Sequence, residues 1–224
     1  MMLNFKGPDE GLNASVYAEL RKRIVTGLIS PDHELSTRGL AGELGVSQTP
    51  VRDALSRLSA EGAVSIRSKR RVRVPEMTSE RFDDLLRCRL LLEPEAAANA
   101  ITFLTESDIQ RLRELNNTLD ASAASGDAAG YMQANYDFHF TLYRSQPQKT
   151  LTQLIETLWL QFGPHMRAVF GRIPGGKLND SHLHAIGAIE NRDEAALRDA
   201  IARDIGDGMG LLARTGLTSS AKSP

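Results

Sequence analysis

Hydrogen-bonding side chains gather at the start of a short amphipathic helix that the sequence predicts after residue 47. The apolar side chains of this helix repeat at i, i+3, i+4 and i+7, the spacing of one buried face: Val51, Ala54, Leu55 and Leu58. Gln48, Thr49 and Arg52 then lie on the opposite, exposed face. Amide, hydroxyl and guanidinium groups on an exposed helix start suit base edges and phosphates in the DNA major groove. The pattern therefore indicates a DNA recognition helix.

The residues just before this helix predict the partner that would position it. Leu40, Ala41 and Leu44 give a preceding short helix an apolar face. Gly45 follows where a left-handed helix end favours glycine, and Ser47 is a good N-cap for the recognition helix. Two short helices joined by a tight turn are therefore expected.

The stretch after the recognition helix predicts a basic hairpin. Residues 63–66 and 72–74 alternate apolar and polar side chains, as two short strands would. The segment between them is basic and includes Lys69, Arg70 and Arg71. A basic run alone is more often a solvated surface loop. Beside a helix-turn-helix, it has the position of a wing that contacts phosphate or the minor groove.

A second group of residues, in the carboxy-terminal part, has side chains that could bind a metal ion. Asn135 and His139 are four residues apart, so one helix face can present an amide oxygen and an imidazole to the same ion. His182 and His184 are two residues apart on a predicted helix, so both cannot enter one pocket. From spacing alone, a hydrogen-bonded core histidine is a more common outcome than a metal ligand.

Composition limits the class of protein. The 224 residues are enough for two modest domains, and residues 1–75 carry a net charge of +4 while the remainder carries −5. A single cysteine, Cys88, excludes an intrachain disulfide framework, and this favours a reducing cytoplasm. Cys88 itself is expected among the core residues. No apolar run approaches the roughly 20 residues of a membrane helix, and the amino terminus lacks the apolar core of a signal peptide.

The predicted architecture is mostly α. We expect a winged helix-turn-helix domain with a small β-hairpin over residues 10–75, a linker at 76–79, an antiparallel helical bundle over 80–215 and a flexible tail at 216–224. Gly163-Pro164 is expected to act as a helix breaker, and Ser107-Asp108 to lie where helix N-caps or first-turn acids are favoured. The candidate helices cover residues 14–26, 79–102, 106–125, 127–146, 148–170, 178–191 and 193–215.

The amino-terminal part resembles the winged helix-turn-helix of the GntR family of bacterial transcription regulators. The motifs that carry the resemblance are residues 17–31, 35–38, 44–47, 49–55 and 58–62. The resemblance implies a homodimer that reads a palindromic operator in double-stranded DNA, with the wing near the minor groove. The candidate DNA-binding residues are Arg38, Ser47, Gln48, Thr49, Arg52, Lys69, Arg70 and Arg71.

Two residues depart from that family pattern. Gln48 occupies a position that is usually an arginine pairing with guanine, and Arg71 occupies a position where the wing usually turns on glycine. Glutamine offers adenine the bidentate pattern that arginine offers guanine. We therefore expect the operator to differ from the common family half-site at the base that Gln48 meets.

Residues 80–215 resemble the FCD ligand-binding domain of the FadR-type subfamily. Residues 89–97, Phe138-His139, His182, Ala188-Ile189 and Asp193 carry this resemblance. The family commonly holds a divalent metal, and its ligand positions fall on Asn135, His139, His182 and Asp204 here. The first and the last depart from the usual aspartate and histidine, but the mix of nitrogen and oxygen donors suits Zn, Ni, Mn or Fe. The alternative is a polar pocket whose side chains bond one another or a ligand.

The same resemblance implies a small carboxylate as effector, with its acid group reaching the metal. Candidate effector-binding residues are Arg89, Asn135, His139, Arg167 and His182. For Arg89 the alternative is an ion pair with Glu93 one helical turn away, worth a few tenths of a kcal/mol on an isolated helix.

Three functions therefore remain in view. The leading one is a metabolite-controlled DNA-binding regulator, with repression as the favoured mode. A metal-dependent hydrolytic enzyme fused to a DNA-binding head is the alternative, although no general base lies in an obvious position and only Glu190 remains as a candidate. A non-specific architectural DNA binder is the third, and it differs in a steep loss of binding with salt.

Overall fold

The computed structural model describes residues 9–31, 34–68, 71–170 and 181–214. Its amino-terminal elements are α1 (Asp9–Val25), α2 (Thr37–Leu44) and α3 (Gln48–Ala60). The predicted helix-turn-helix is thus α2 and α3, with α1 packed against α3.

Local backbone chemistry explains the tight turn between α2 and α3. The Ser36 hydroxyl accepts a hydrogen bond from the Gly39 amide at 2.9 Å and caps α2. Gly45 ends the helix in the left-handed conformation with φ 68°, which glycine adopts without steric cost. Ser47 occupies the N-cap position of α3, but its side chain makes no capping hydrogen bond.

The wing consists of β1 (Ser65–Ser68) and β2 (Arg71–Arg73), paired antiparallel with Ile66 opposite Val72. Val72 also exchanges two backbone hydrogen bonds with Leu35, at 2.8 and 3.0 Å. The segment before α2 therefore extends the hairpin by one bridge, which the sequence pattern did not predict.

The remaining helices form the bundle, which supplies most of the core. They are α4 (Ser79–Ala100), α5 (Glu106–Ser125), α6 (Ala128–Ser145), α7 (Lys149–Phe170), α8 (Ser181–Glu190) and α9 (Glu194–Arg214). The helices pack in pairs, with α4 on α9, α5 on α6 and α8 on α9. Among their largest fully buried side chains are Trp159, Tyr143, Phe138 and Phe140.

Two local predictions were wrong. Gly163-Pro164 lies inside α7 rather than interrupting it. Cys88 is half-buried on α4 rather than a core residue. At Ser107-Asp108, Asp108 is a first-turn acid as expected, whereas the N-cap itself is Thr105. The Asp108 carboxylate accepts from the Thr105 amide at 2.9 Å and completes a capping box.

Helix α7 also carries the contact between the amino-terminal elements and the bundle. The α7 backbone at Gly163 passes so close to α1 that a Cβ atom there would overlap the Val25 carbonyl. Arg21 of α1 pairs with Glu156 of α7 at 3.0 Å. The two parts are therefore packed directly against each other. Within the described residues, no helix is both long and apolar enough to cross a membrane.

Candidate metal centre and DNA-contacting surface

Three bundle helices bring His139, His182 and Asp204 together. His139 lies on α6, His182 on α8 and Asp204 on α9, and their potential ligand atoms all lie within 4.8 Å of one another. The Asp204 carboxylate is 3.1 Å from His139 Nε2 and 3.5 Å from His182 Nε2, and the two Nε2 atoms are 3.3 Å apart. Both imidazoles are buried. One nitrogen from each histidine and one carboxylate therefore converge on a single point.

The surroundings favour the protonation states that metal ligands need. Burial, countered in part by the Asp204 charge, lowers the pKa of His182 to about 4, so its imidazole is neutral near pH 7. Burial alone would raise the pKa of Asp204. The charges of His182, His139 and Arg89, with the hydrogen bond from His139, outweigh burial and lower it to about 2. Asp204 is therefore a carboxylate at neutral pH.

A hydrogen-bonded chain behind His139 orients its ring. The Tyr143 hydroxyl donates to the Glu93 carboxylate at 2.9 Å, so its oxygen accepts from His139 Nδ1 at 3.1 Å. This assigns one proton to Nδ1 and leaves Nε2 directed at Asp204, where either a second proton or a metal ion can join the two atoms. A lone pair and a carboxylate 3.1 Å apart repel unless a cation or a proton lies between them. The residues therefore fit a metal ion. Tyr143 and Glu93 would act as the outer hydrogen-bond partners that orient a metal-ligating histidine.

The space beside this centre is small. Asn135, Asp204 and Arg89 border a cavity of about 30 Å³, together with Met132 and Met166. A volume of this size holds an ion with a water molecule rather than a metabolite. Asn135 therefore borders the same cavity as Asp204, and its role as a ligand stays a prediction.

Two predicted effector-binding arginines have other contacts. Arg89 is 3% exposed and pairs with the fully buried Glu93 at 2.5 Å, which is the ion pair weighed against effector binding, although it still borders the small cavity. Its guanidinium lies 4.3 Å from the Phe162 ring centroid. Arg167 does not border that cavity. It lies against Gly27, where α1 meets the bundle.

The predicted DNA-contacting residues of the helix-turn-helix are all exposed. Within the described part of the chain, neither Arg38 nor Arg52 forms an ion pair, so both guanidinium groups are available to phosphate or base edges. The exposed residues are Arg38, Ser47, Gln48, Thr49 and Arg52.

The wing arginines have a partner that sequence reasoning missed. Glu34 lies 3.5 Å from Arg71 and 3.7 Å from Arg73. Lys69 and Arg70 lie outside the described residues. Glu34, Arg71 and Arg73 are each at least one-third exposed, so water weakens both ion pairs. The two arginines can therefore leave Glu34 for a phosphate.

Two partners in the bundle also escaped sequence reasoning. Tyr143 lies four residues after His139, a spacing that could have revealed it. Glu93 appeared only as a partner for Arg89, yet it also accepts from Trp159 Nε1 at 3.1 Å. Glu190, the one candidate for a general base, is exposed and bonds Arg113 at 2.6 Å. It therefore has a structural partner on α5.

An exposed recognition helix with a wing, joined to a helical domain with a buried polar centre, defines a transcriptional regulator with a ligand-binding domain. Residues 12–74 match the family model of bacterial regulatory proteins, gntR family, and residues 84–207 match that of the FCD domain. The chain therefore belongs to the GntR family, in its FCD-containing branch. Both matched families consist of transcriptional regulators, not enzymes.

Individual relatives agree with this assignment. The chain is 31% identical over 195 residues to the HTH-type transcriptional regulator McbR of Escherichia coli K12, covering 85% of this chain and 88% of McbR. It is 24% identical over 199 residues to the HTH-type transcriptional repressor RspR of the same strain, covering 88% and 87%. The solved structure of E. coli McbR/YncC superposes with a TM-score of 0.85 at 28% identity, covering 92% of this chain and 98% of that one.

Proposed function

We propose that this chain is a homodimeric, sequence-specific repressor whose DNA affinity is set by a small molecule bound in the bundle. Residues 10–75 would bind DNA, 76–79 would link the domains, and 80–215 would bind the effector and dimerise, all in the cytoplasm. The observation that carries this proposal is the exposed polar and cationic set on α2 and α3, above all Arg52. A related repressor, RspR, supports the sign of regulation.

Gln48 would set the sequence preference of the operator. Its amide stands exposed on the first turn of α3, where recognition helices contact base edges. Selection of binding sites from random duplexes tests this directly. We expect a palindrome with adenine at the base that Gln48 meets, and a shift to guanine for Gln48→Arg. An unchanged consensus in that variant would refute the role of Gln48.

The wing would add affinity rather than specificity. Arg71, with Lys69 and Arg70, would neutralise phosphates or enter the minor groove, where positive charge contributes without reading sequence in detail. The nearby Glu34 carboxylate would be displaced from Arg71 on binding.

The bundle would hold one divalent ion on His139, His182 and Asp204, with Asn135 as a fourth, weaker oxygen donor. The depressed pKa values of His182 and Asp204 support ligation near pH 7. Zn, Ni, Mn and Fe suit this donor mix. A bound ion would supply positive charge for an effector carboxylate. An organic acid would need more room than about 30 Å³, so the flexible Met132 and Met166 would have to move as it enters.

Dimerisation would use the outer face of α4. Leu90 and Leu91 are 38% and 68% exposed there. Adjacent leucines exposed to water in this way suggest a surface that another chain covers. Light scattering of the purified protein should give twice the chain mass. Leu91→Glu should shift the mass toward that of one chain, whereas a dimer unaffected by this charge would place the interface elsewhere.

Elemental analysis of the untagged protein tests the metal proposal. We expect close to one ion per chain in the parent and almost none in His139→Ala. His184→Ala is the matched control, because His184 is exposed on the same helix as His182 and should keep the ion. No metal in the parent after incubation with Zn²⁺ and Mn²⁺ would contradict ligation and favour a hydrogen-bonded pocket.

A further inference from the structure

A second, larger cavity lies at the boundary between the DNA-binding domain and the bundle. It lies between α1 and α6 and encloses about 320 Å³, roughly ten times the space beside Asp204. None of its bordering residues borders the smaller cavity. Its volume falls within the range of about 300–1,000 Å³ typical of small-molecule sites. This space, the interdomain cleft, is therefore large enough for a metabolite.

Two buried polar atoms on the side chains bordering the cleft lack a partner within the described residues. Arg21 anchors one end of its guanidinium on Glu156 at 3.0 Å, but its Nε is buried without an acceptor. Gln133 donates from its amide nitrogen to Asp137 at 3.0 Å, but its Oε1 is buried without a donor. Buried polar atoms in folded proteins are nearly always hydrogen-bonded. One donor and one acceptor are thus left over on side chains that border the same cleft, with both atoms turned away from its open space.

The rest of the lining defines the body of a ligand. Tyr17 and Tyr136 contribute aromatic surface, Val25 contributes aliphatic surface, and Lys22 adds a second cation beside Arg21. No carboxylate is among the bordering residues that the structure describes. The cleft is therefore bordered by two cations, of which Arg21 also pairs with Glu156, and it is partly aromatic with a single side-chain amide.

We propose that the interdomain cleft binds a small hydroxylated aromatic carboxylate. Its carboxylate would accept from Arg21 Nε and pair with Lys22. Its ring would contact Tyr17 and Tyr136, and its hydroxyl would donate to Gln133 Oε1. Once the Arg21 and Gln133 side chains turn toward the ligand, this pairing gives each leftover atom the partner it lacks, and it needs no metal.

A ligand in the cleft would hold the two domains together. It would contact α1, which packs on the recognition helix, and α6, which carries His139. Arg81 already joins the domains, donating to the Gly62 carbonyl at 3.0 Å and to Gln161 at 2.9 Å. Binding would favour this closed arrangement over separated domains, because only the closed arrangement presents both halves of the site. An effect on operator affinity rests additionally on the proposed DNA-binding function.

Isothermal titration calorimetry of the full-length protein with 2-, 3- and 4-hydroxybenzoate tests the site. We expect one molecule of at least one isomer per chain. Arg21→Met and Gln133→Leu should each weaken its binding about tenfold or more, the effect of losing a charge-assisted or buried hydrogen bond. Arg23→Met is the matched control: Arg23 is also on α1, pairs with Glu19 and Glu43, and does not border the cleft.

Two further variants separate binding in the cleft from effects on domain packing and on the metal centre. Glu156→Gln removes the ion pair that holds Arg21 against α7. This variant should still bind the ligand, because Arg21 is assigned to the ligand and not to the packing between the domains. His139→Ala should also keep binding, since the metal centre is separate. Loss of binding in His139→Ala, equal binding in Arg21→Met and Arg23→Met, or no heat with any isomer would each overturn the proposal.

Discussion

The buried pair Arg89–Glu93 gives the sharpest stability prediction. Glu93 is fully buried and receives hydrogen bonds from Arg89, Tyr143 and Trp159, at 2.5, 2.9 and 3.1 Å. Arg89 is 3% exposed, and Glu93 is the only carboxylate with which it pairs within the described residues. Removing either member of a buried ion pair leaves a charge without compensation, which costs roughly 3–5 kcal/mol.

The two single variants should differ in a way that the geometry fixes. Arg89→Met leaves the Glu93 carboxylate with its hydrogen bonds from Tyr143 and Trp159, so we expect the lower limit, about 3 kcal/mol. Glu93→Gln leaves the buried guanidinium without its ion-pair partner and with only the more distant charge of Asp204 nearby, so we expect the upper limit, about 5 kcal/mol. The double variant should cost less than the sum of the two by about 1–3 kcal/mol, because neither charge is then stranded.

Urea denaturation provides the assay. Trp159 is the single tryptophan of the chain and donates to Glu93, so its fluorescence reports unfolding of the bundle at the site itself. Far-UV circular dichroism would check that both domains unfold in the same transition. A loss below about 0.5 kcal/mol for Arg89→Met, the usual effect at a surface site, would refute the structural role of the pair. Arg89 would then be a better candidate for the effector.

Three further predictions concern other parts of the molecule. Arg52→Ala should weaken operator binding by about 1–3 kcal/mol, measured by fluorescence anisotropy, whereas Arg113→Ala on the bundle surface should not. The pKa of His182 is about 4 in the folded chain and 6.5 in the unfolded chain, so the unfolded chain binds more protons between these pH values. The unfolding free energy of the metal-free protein should therefore fall by about 3 kcal/mol as the pH drops from 6.5 to 4. Gly163→Ala should destabilise by about 1–3 kcal/mol because its Cβ would overlap the α1 backbone, whereas Gly187→Ala, with open space around it, should stabilise by up to about 1 kcal/mol.

Each of these has a clear contrary result. Equal operator affinities of the Arg52 and Arg113 variants would remove α3 from the DNA interface. A pH dependence of stability that persists unchanged in His182→Gln would assign the acid sensitivity to other groups. A Gly163→Ala protein as stable as the Gly187→Ala protein would mean that α1 and α7 separate without cost.

The helix-turn-helix could be predicted from sequence because its signals are local. The apolar period of α3 and the turn glycine Gly45 act within one or two helical turns, and the structure confirms both. The spacing of Asn135 and His139 likewise placed two neighbours of the polar centre on one face of α6. Local periodicity and capping act on adjacent residues, so the chain order alone reveals them.

The remaining features depend on contacts between distant residues. Gly163-Pro164 continues α7 because the missing side chain at Gly163 allows α1 to approach, a packing gain that local propensity cannot anticipate. The Leu35–Val72 bridge joins segments far apart in sequence. The interdomain cleft is the clearest case, since its bordering residues come from two domains and carry no motif.

We expect α3 to bind a specific operator under control of the bundle. The most direct test is an anisotropy titration of the selected palindrome and of a scrambled duplex, at a fixed ionic strength of about 0.15 M. The parent should bind the palindrome about 1,000-fold or more tightly than the scrambled duplex. Arg52→Ala should lose this preference, and His139→Ala should keep it but change how operator affinity responds to added metal. Equal affinities of the parent for the two duplexes would contradict operator-specific binding by α3.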